Sequence, residues 1–122
     1  MLVRMLGVVV IGAVLGGCAV KTVEEVEPYS TVTLNMPPAQ VIAGLSGEQC
    51  SAFIYAKSRA YSAERFEIQY FSKNVMSDIP GDIVLGSITA EGKTVLRMKS
   101  ISKFQEPYSK VMLRKVQTGK CE

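Results

Sequence analysis

Residues 65–71, Arg65-Phe66-Glu67-Ile68-Gln69-Tyr70-Phe71, decide how the rest of the chain is read. Phe66, Ile68 and Tyr70 alternate with Arg65, Glu67 and Gln69. A period of two with one apolar side marks a strand that buries one face and wets the other. Phe71 adds an aromatic to the polar side, so either a neighbour covers it or it leaves apolar area open to a partner. Toward the C-terminus, residues 72–81 carry Asn74, Asp78 and Pro80-Gly81 and read as a loop. Residues 82–89 and 93–102 then read as two strands joined through Ala90-Glu91-Gly92, because a Gly in a short connection between alternating runs signals a hairpin. Residues 109–116 set Val111 and Leu113 against Lys110, Met112 and Arg114 and are expected to add a third strand after a turn at Pro107.

Toward the N-terminus, residues 29–35 alternate, with Ser30, Val32 and Leu34 on one side and Thr31 and Thr33 on the other. Pro37-Pro38 ends that strand and suits the first turn of a helix, whose N–H groups have no intrahelical partner. A helix over about 37–45 is expected, capped by Asn35 and closed by Ser46-Gly47, with Val41, Ile42 and Leu45 on its apolar face. Residues 50–57 fit a strand through Phe53 and Tyr55, or a helix through Cys50, Phe53 and Ile54; the grouping of Phe, Ile and Tyr favours the strand. The expected fold is α+β: an antiparallel sheet with one main helix laid across it in two layers, in the order strand, helix, two strands, three-stranded meander.

Composition removes several functions. The chain of 122 residues has no His and only three Cys, so imidazole-based catalysis and the common zinc sites are not available. Gly44-Leu45-Ser46-Gly47 lacks the Lys-Ser/Thr that completes a phosphate loop. Asp78 and Asp82 flank Ile79-Pro80-Gly81, but the ligand spacing of a calcium loop is missing, and Asp is common in turns. No catalytic residue, metal site or cofactor is expected, and the chain reads as non-enzymatic.

The first residues carry an address. Arg4 precedes the apolar run 6–15, which is shorter than the roughly 20 residues of a membrane span and has the form of a secretory signal. Leu15-Gly16-Gly17-Cys18 resembles the lipobox of bacterial lipoproteins: an aliphatic residue, two small residues and a Cys. The resemblance implies cleavage after Gly17, with Leu15, Gly16 and Gly17 as the cleavage-site residues. It also implies diacylglycerol on the Cys18 thiol and acylation of the new N-terminus. Two acyl chains suffice for stable anchoring. Ala19, in place of an Asp, implies by the same resemblance the inner leaflet of the outer membrane, facing the periplasm. Residues 1–17 are then a signal peptide, 18–28 an acidic flexible tether with Glu24, Glu25 and Glu27, and 29–122 a single domain. In an oxidising compartment the remaining cysteines, Cys50 and Cys121, are expected to pair.

Charge and element order suggest partners. Residues 92–122 hold eight basic and two acidic side chains. Arg97, Lys99 and Arg114 are expected on the outer face of the last strands, near Lys93, Lys103 and Lys110, where they would attract anionic partners. In element order the domain resembles the helix-grip domains of the barrel-assembly lipoproteins of the outer membrane, departing from them in having no long C-terminal helix. The expected function is that of an outer-membrane lipoprotein, held by its lipid anchor, which binds an envelope protein or assists envelope assembly. The alternative is binding of an anionic glycan or glycolipid through the basic face. Nucleic acid is not an expected partner in that compartment.

Overall fold

The computed structural model describes residues 22–102 and 105–122. The lipobox residues Leu15, Gly16, Gly17 and Cys18, the rest of the expected signal, the first part of the expected tether, and Lys103 lie outside the described residues. The fold is α+β, as the sequence predicts. In chain order the elements are a 3-10 turn at Val23–Glu25, β1 (Ser30–Leu34), α1 (Pro38–Ser46), β2 (Ile54–Ala60), β3 (Arg65–Ser72), β4 (Ile79–Ile88), β5 (Thr94–Lys99) and α2 (Tyr108–Thr118). All five strands form one antiparallel sheet in the order β1-β5-β4-β3-β2. The run β2 to β5 is a meander, and β1 crosses over to take the free edge beside β5, so the sheet as a whole is not a simple meander.

The alternation of β3 survives intact: Phe66, Ile68 and Tyr70 are buried beneath the helices. β4 and β5 add Val84, Leu96 and Met98 to the same face, and α1 adds Val41 and Leu45. Residues 50–57 resolve in favour of a strand from Ile54. α1 begins at Pro38 with Pro37 as its cap, so Asn35 does not cap it. The proline N–H that such a first turn would leave unsatisfied does not exist.

Residues 109–116 are helical, which corrects both the expected last strand and the expectation of a single main helix. Ser109, Met112 and Leu113 are buried and Val116 packs beside them, a stripe at i, i+3, i+4 and i+7. Pro107 sets the start. Gly119, at φ 83°, ends the helix in the left-handed region and donates its N–H to the Lys115 carbonyl at 2.7 Å. The helix layer therefore holds two helices: α1 lies on β2 and β3, α2 on β4 and β5, and each packs against the other. Their close approach leaves no room at Gly44, where an added Cβ would sit 2.8 Å from a Val116 methyl.

The expected loop at 72–81 is shorter. β4 begins at Ile79, and a bulge opposite Tyr70 places Gly81 and Asp82 against one residue of β3. Pro80 is tolerated there because β5 stops pairing at Ile83, so this stretch of β4 has an open edge. On the outer sheet face the 3-10 turn lies against β4 and buries Val23; Lys99 Nζ donates to the Glu24 carbonyl at 2.9 Å. The packed chain thus reaches back into the acidic segment ahead of Tyr29. Cys50 and Cys121 are joined by a disulfide, with Cα atoms 5.7 Å apart.

Candidate functional site

A cavity of about 380 Å³ opens where the β4 bulge, the start of α2 and the segment entering β2 meet. Ser51, Ile54, Tyr70, Gly81, Asp82, Gln105, Glu106 and Tyr108 are among its walls. Its geometry follows from local causes. The bulge turns Asp82 inward, as bulges re-aim the side chain beside them. Asp82 is 8% exposed, and its Oδ2 accepts the backbone N–H and the hydroxyl of Ser109, both at 2.8 Å. Pro107 at the start of α2 offers no side-chain cap, so a strand residue supplies it. The Ser109 hydroxyl also meets the Tyr29 hydroxyl at 2.7 Å, which ties the chain ahead of β1 to the same point. Burial raises the Tyr29 pKa against the lowering effect of that hydrogen bond.

Tyr70 and Tyr108 form the opposite wall, their rings edge to face at 5.1 Å. The Tyr70 hydroxyl donates to the Leu45 carbonyl at 2.8 Å, and desolvation pushes its pKa well above the ordinary tyrosine value. The Tyr108 hydroxyl donates to Gln49 Oε1 at 2.9 Å and accepts the Cys50 N–H at 3.0 Å, next to the disulfide. Burial also raises its pKa. At the rim, Glu106 is paired with Arg114, whose hydrogen bond lowers the carboxyl pKa. Every polar group just named already serves a structural bond. The cleft can hold a guest against aromatic and polar walls.

The sequence-predicted residues are distributed as follows. Arg97 and Lys99 stand on the outer face of β5, as expected, Arg97 exposed and Lys99 half-buried under the 3-10 turn. Arg114 does not join them: it lies on α2, in the layer covering the opposite sheet face, because residues 109–116 are helical. Asp78 and Asp82 are not a pair; Asp82 turns to α2, and Asp78 accepts the Tyr55 hydroxyl at 2.5 Å, a bond that raises the Tyr55 pKa. Phe71 is covered in part by Tyr55, stacked at 5.2 Å.

Three residues that sequence reading does not single out meet on the outer face. Lys57 and Arg59 of β2 and Gln69 of β3 border a smaller cavity of about 180 Å³ with Ser58, Glu67 and Phe71. Their alternation with Ala56, Ser58 and Ala60 is visible in the sequence, but the register that joins them, Lys57 to Gln69 and Arg59 to Glu67, requires the strand order. No group of three or more metal-ligating side chains occurs among the described residues, and no described helix is long and apolar enough to cross a membrane. No protein-family model, curated protein or solved structure matches this chain.

Proposed function

We propose that this chain is a lipid-anchored protein of the bacterial outer membrane, attached through Cys18 and facing the periplasm. It binds a segment of an envelope protein in the cleft beside α2 and performs no chemistry there. The lipobox-like Leu15-Gly16-Gly17-Cys18 supports the address, and the Cys50–Cys121 disulfide suits an oxidising compartment. The observation that carries the binding role is the cleft itself. It is a preformed cavity of about 380 Å³ with two aromatic walls, and its polar groups are held by Asp82, Ser109 and the disulfide-linked segment. Concave sites that combine aromatic side chains with a few fixed polar groups are a usual form of a recognition site.

Two measurements test the proposal. Labelling with palmitate should modify the wild-type chain and spare the Cys18→Ser variant; a full-length, unlabelled product recovered in the cytosol defeats the address. A photo-cross-linking residue at Gln105, on the cleft wall, should give one dominant adduct in intact envelopes. A smear no different from that of a control position such as Glu91 defeats the binding role.

A further inference from the structure

The outer sheet face carries Lys57, Arg59, Arg65, Arg97 and Lys99, with Glu67 as its acid among the strand residues. Two of these cations are held in a distinctive way. Lys57 Nζ lies 5.4 Å from the centre of the Phe71 ring, and the Arg59 guanidinium 5.7 Å from that of Tyr61. Such stacking fixes a cation without neutralising it. Among the described residues neither has a carboxylate within 4.0 Å; Glu67, facing Arg59 across the strand pair, instead accepts the Tyr61 hydroxyl at 2.5 Å. Between them, Gln69 Nε2 is fully buried and donates to nothing among the described residues. A buried amide donor without an acceptor is costly and asks for one. The cavity of about 180 Å³ is thus bordered by an ammonium and a guanidinium, with the Gln69 amide beneath its surface and Glu67 reducing the net charge to about that of one cation.

Beyond Phe71, toward the β3–β4 loop and away from Arg59, the same side of the sheet turns apolar. Phe71 stacks on Tyr55, whose hydroxyl holds Asp78. The β3–β4 loop then projects Val75, 99% exposed, and Met76, 90% exposed, with Phe53 and Ile79 also exposed nearby. Lys73 joins this loop to Phe53, its backbone N–H donating to the Phe53 carbonyl at 2.8 Å. Apolar side chains at a loop tip, with cations set back along the strand behind it, match the layering of a bilayer surface, with acyl chains beneath phosphates.

We infer that the outer side of β2 and β3 docks on an anionic membrane surface, the Lys57–Arg59 cavity taking a singly charged phosphodiester headgroup while Val75 and Met76 enter the acyl boundary. The site lies apart from the cleft, and it moves the basic-face expectation from Arg97, Lys99 and Arg114 to β2 and β3. The docking uses the anchored chain of the proposed function, so the test reads the two separately. The chain has no Trp, so Met76→Trp is a lone reporter. The full-length variant is reconstituted into vesicles of phosphatidylcholine alone or with phosphatidylglycerol, each with brominated acyl chains as quencher.

Co-flotation with both vesicles reports anchoring. Quenching of the Trp only when phosphatidylglycerol is present reports docking. Each cation near an anionic surface is worth roughly a factor of five, so Lys57→Gln with Arg59→Gln should weaken docking about 25-fold and abolish the quenching. Both positions are exposed, so the variant folds as the parent does. In a separate variant, Glu91→Trp, the reporter sits in the hairpin at the far end of β4 and should stay unquenched. Soluble glycerophosphoglycerol that relieves quenching assigns recognition to the phosphodiester itself; failure to compete at high concentration assigns it to the assembled headgroup surface, and either result supports the docking. A protein that floats but is not quenched with phosphatidylglycerol, or is quenched equally without it, overturns the inference and leaves the anchor standing. So does a blue shift of the Met76→Trp reporter that appears only on adding envelope protein, which gives the tip to a protein partner.

Discussion

Replacing Asp82 with Ala tests the joint on which the second layer depends. The carboxylate accepts two hydrogen bonds from Ser109 and caps the start of α2, where Pro107 cannot. Losing a side-chain cap costs about 1 kcal/mol. The Ser109 N–H is then buried without an acceptor, and leaving a donor so adds about 1–3 kcal/mol. The lost interaction of a carboxylate with the helix N-terminus adds a few tenths to about 1 kcal/mol. These contributions overlap, so about 3 kcal/mol is expected for Asp82→Ala. Asp82→Asn keeps an acceptor oxygen and should cost only about 1 kcal/mol, the charge contribution. Urea unfolding followed by circular dichroism measures both. With a slope of about 1.5 kcal/mol per molar, Asp82→Ala moves the midpoint down by about 2 M at unchanged slope. Hydrogen exchange at the Ser109 and Lys110 amides should accelerate more than at the centre of β3. The reasoning fails if Asp82→Ala lies within about 0.5 kcal/mol of the parent, or if Asn costs as much as Ala.

Reducing and alkylating Cys50 and Cys121 should lower the unfolding midpoint, with a chain-entropy ceiling of about 4 kcal/mol for a loop closed across a separation of 71 residues; an unchanged midpoint would show the bond to be idle. Gly86→Ala should destabilise by about 1–3 kcal/mol or more, because an added Cβ would fall 2.1 Å from the Phe66 ring; companion Phe66→Leu should recover part of the loss, measured by the same unfolding. Glu106→Gln should matter only when the carboxyl is ionised. Its folded pKa is lowered by Arg114, so its stabilising effect is present above the ordinary carboxylate value and disappears as pH falls through the lowered one. Midpoints of parent and variant should therefore converge on acidification, and a gap that persists or widens there would contradict the pairing.

Strands with one dry face were legible because burial imposes a period of two: Phe66, Ile68 and Tyr70, or Leu96 and Met98, could be read directly. The last helix was not, because Val111 and Leu113 happen to alternate while the stripe that packs, Ser109, Met112, Leu113 and Val116, includes a serine whose burial is justified by Asp82 and Tyr29. Pro107 and Gly119, ten residues or so apart, were the better signal, since they bracket a helix whatever its interior suggests. The disulfide was foreseeable from parity and compartment. Asp82 as a helix cap, and Lys57, Arg59 and Gln69 as one site, were not, because each depends on which strands become neighbours. Arg114 followed its helix to the other layer and left the basic face expected for it.

The covalent ring closed between Cys50 and Cys121 encloses β2 to β5 and α2 and leaves β1 and α1 outside it. A pull on the N-terminal end would therefore first lift the turn at Val23–Glu25 from β4 and then load the ladder between β1 and β5, from Ser30–Met98 to Leu34–Thr94, which would peel as a zipper. The slack released between Thr22 and the half-cystine at Cys50 extends to roughly 95 Å at most before the ring takes the tension. Mechanically, the domain is a short spring in series with a hard stop.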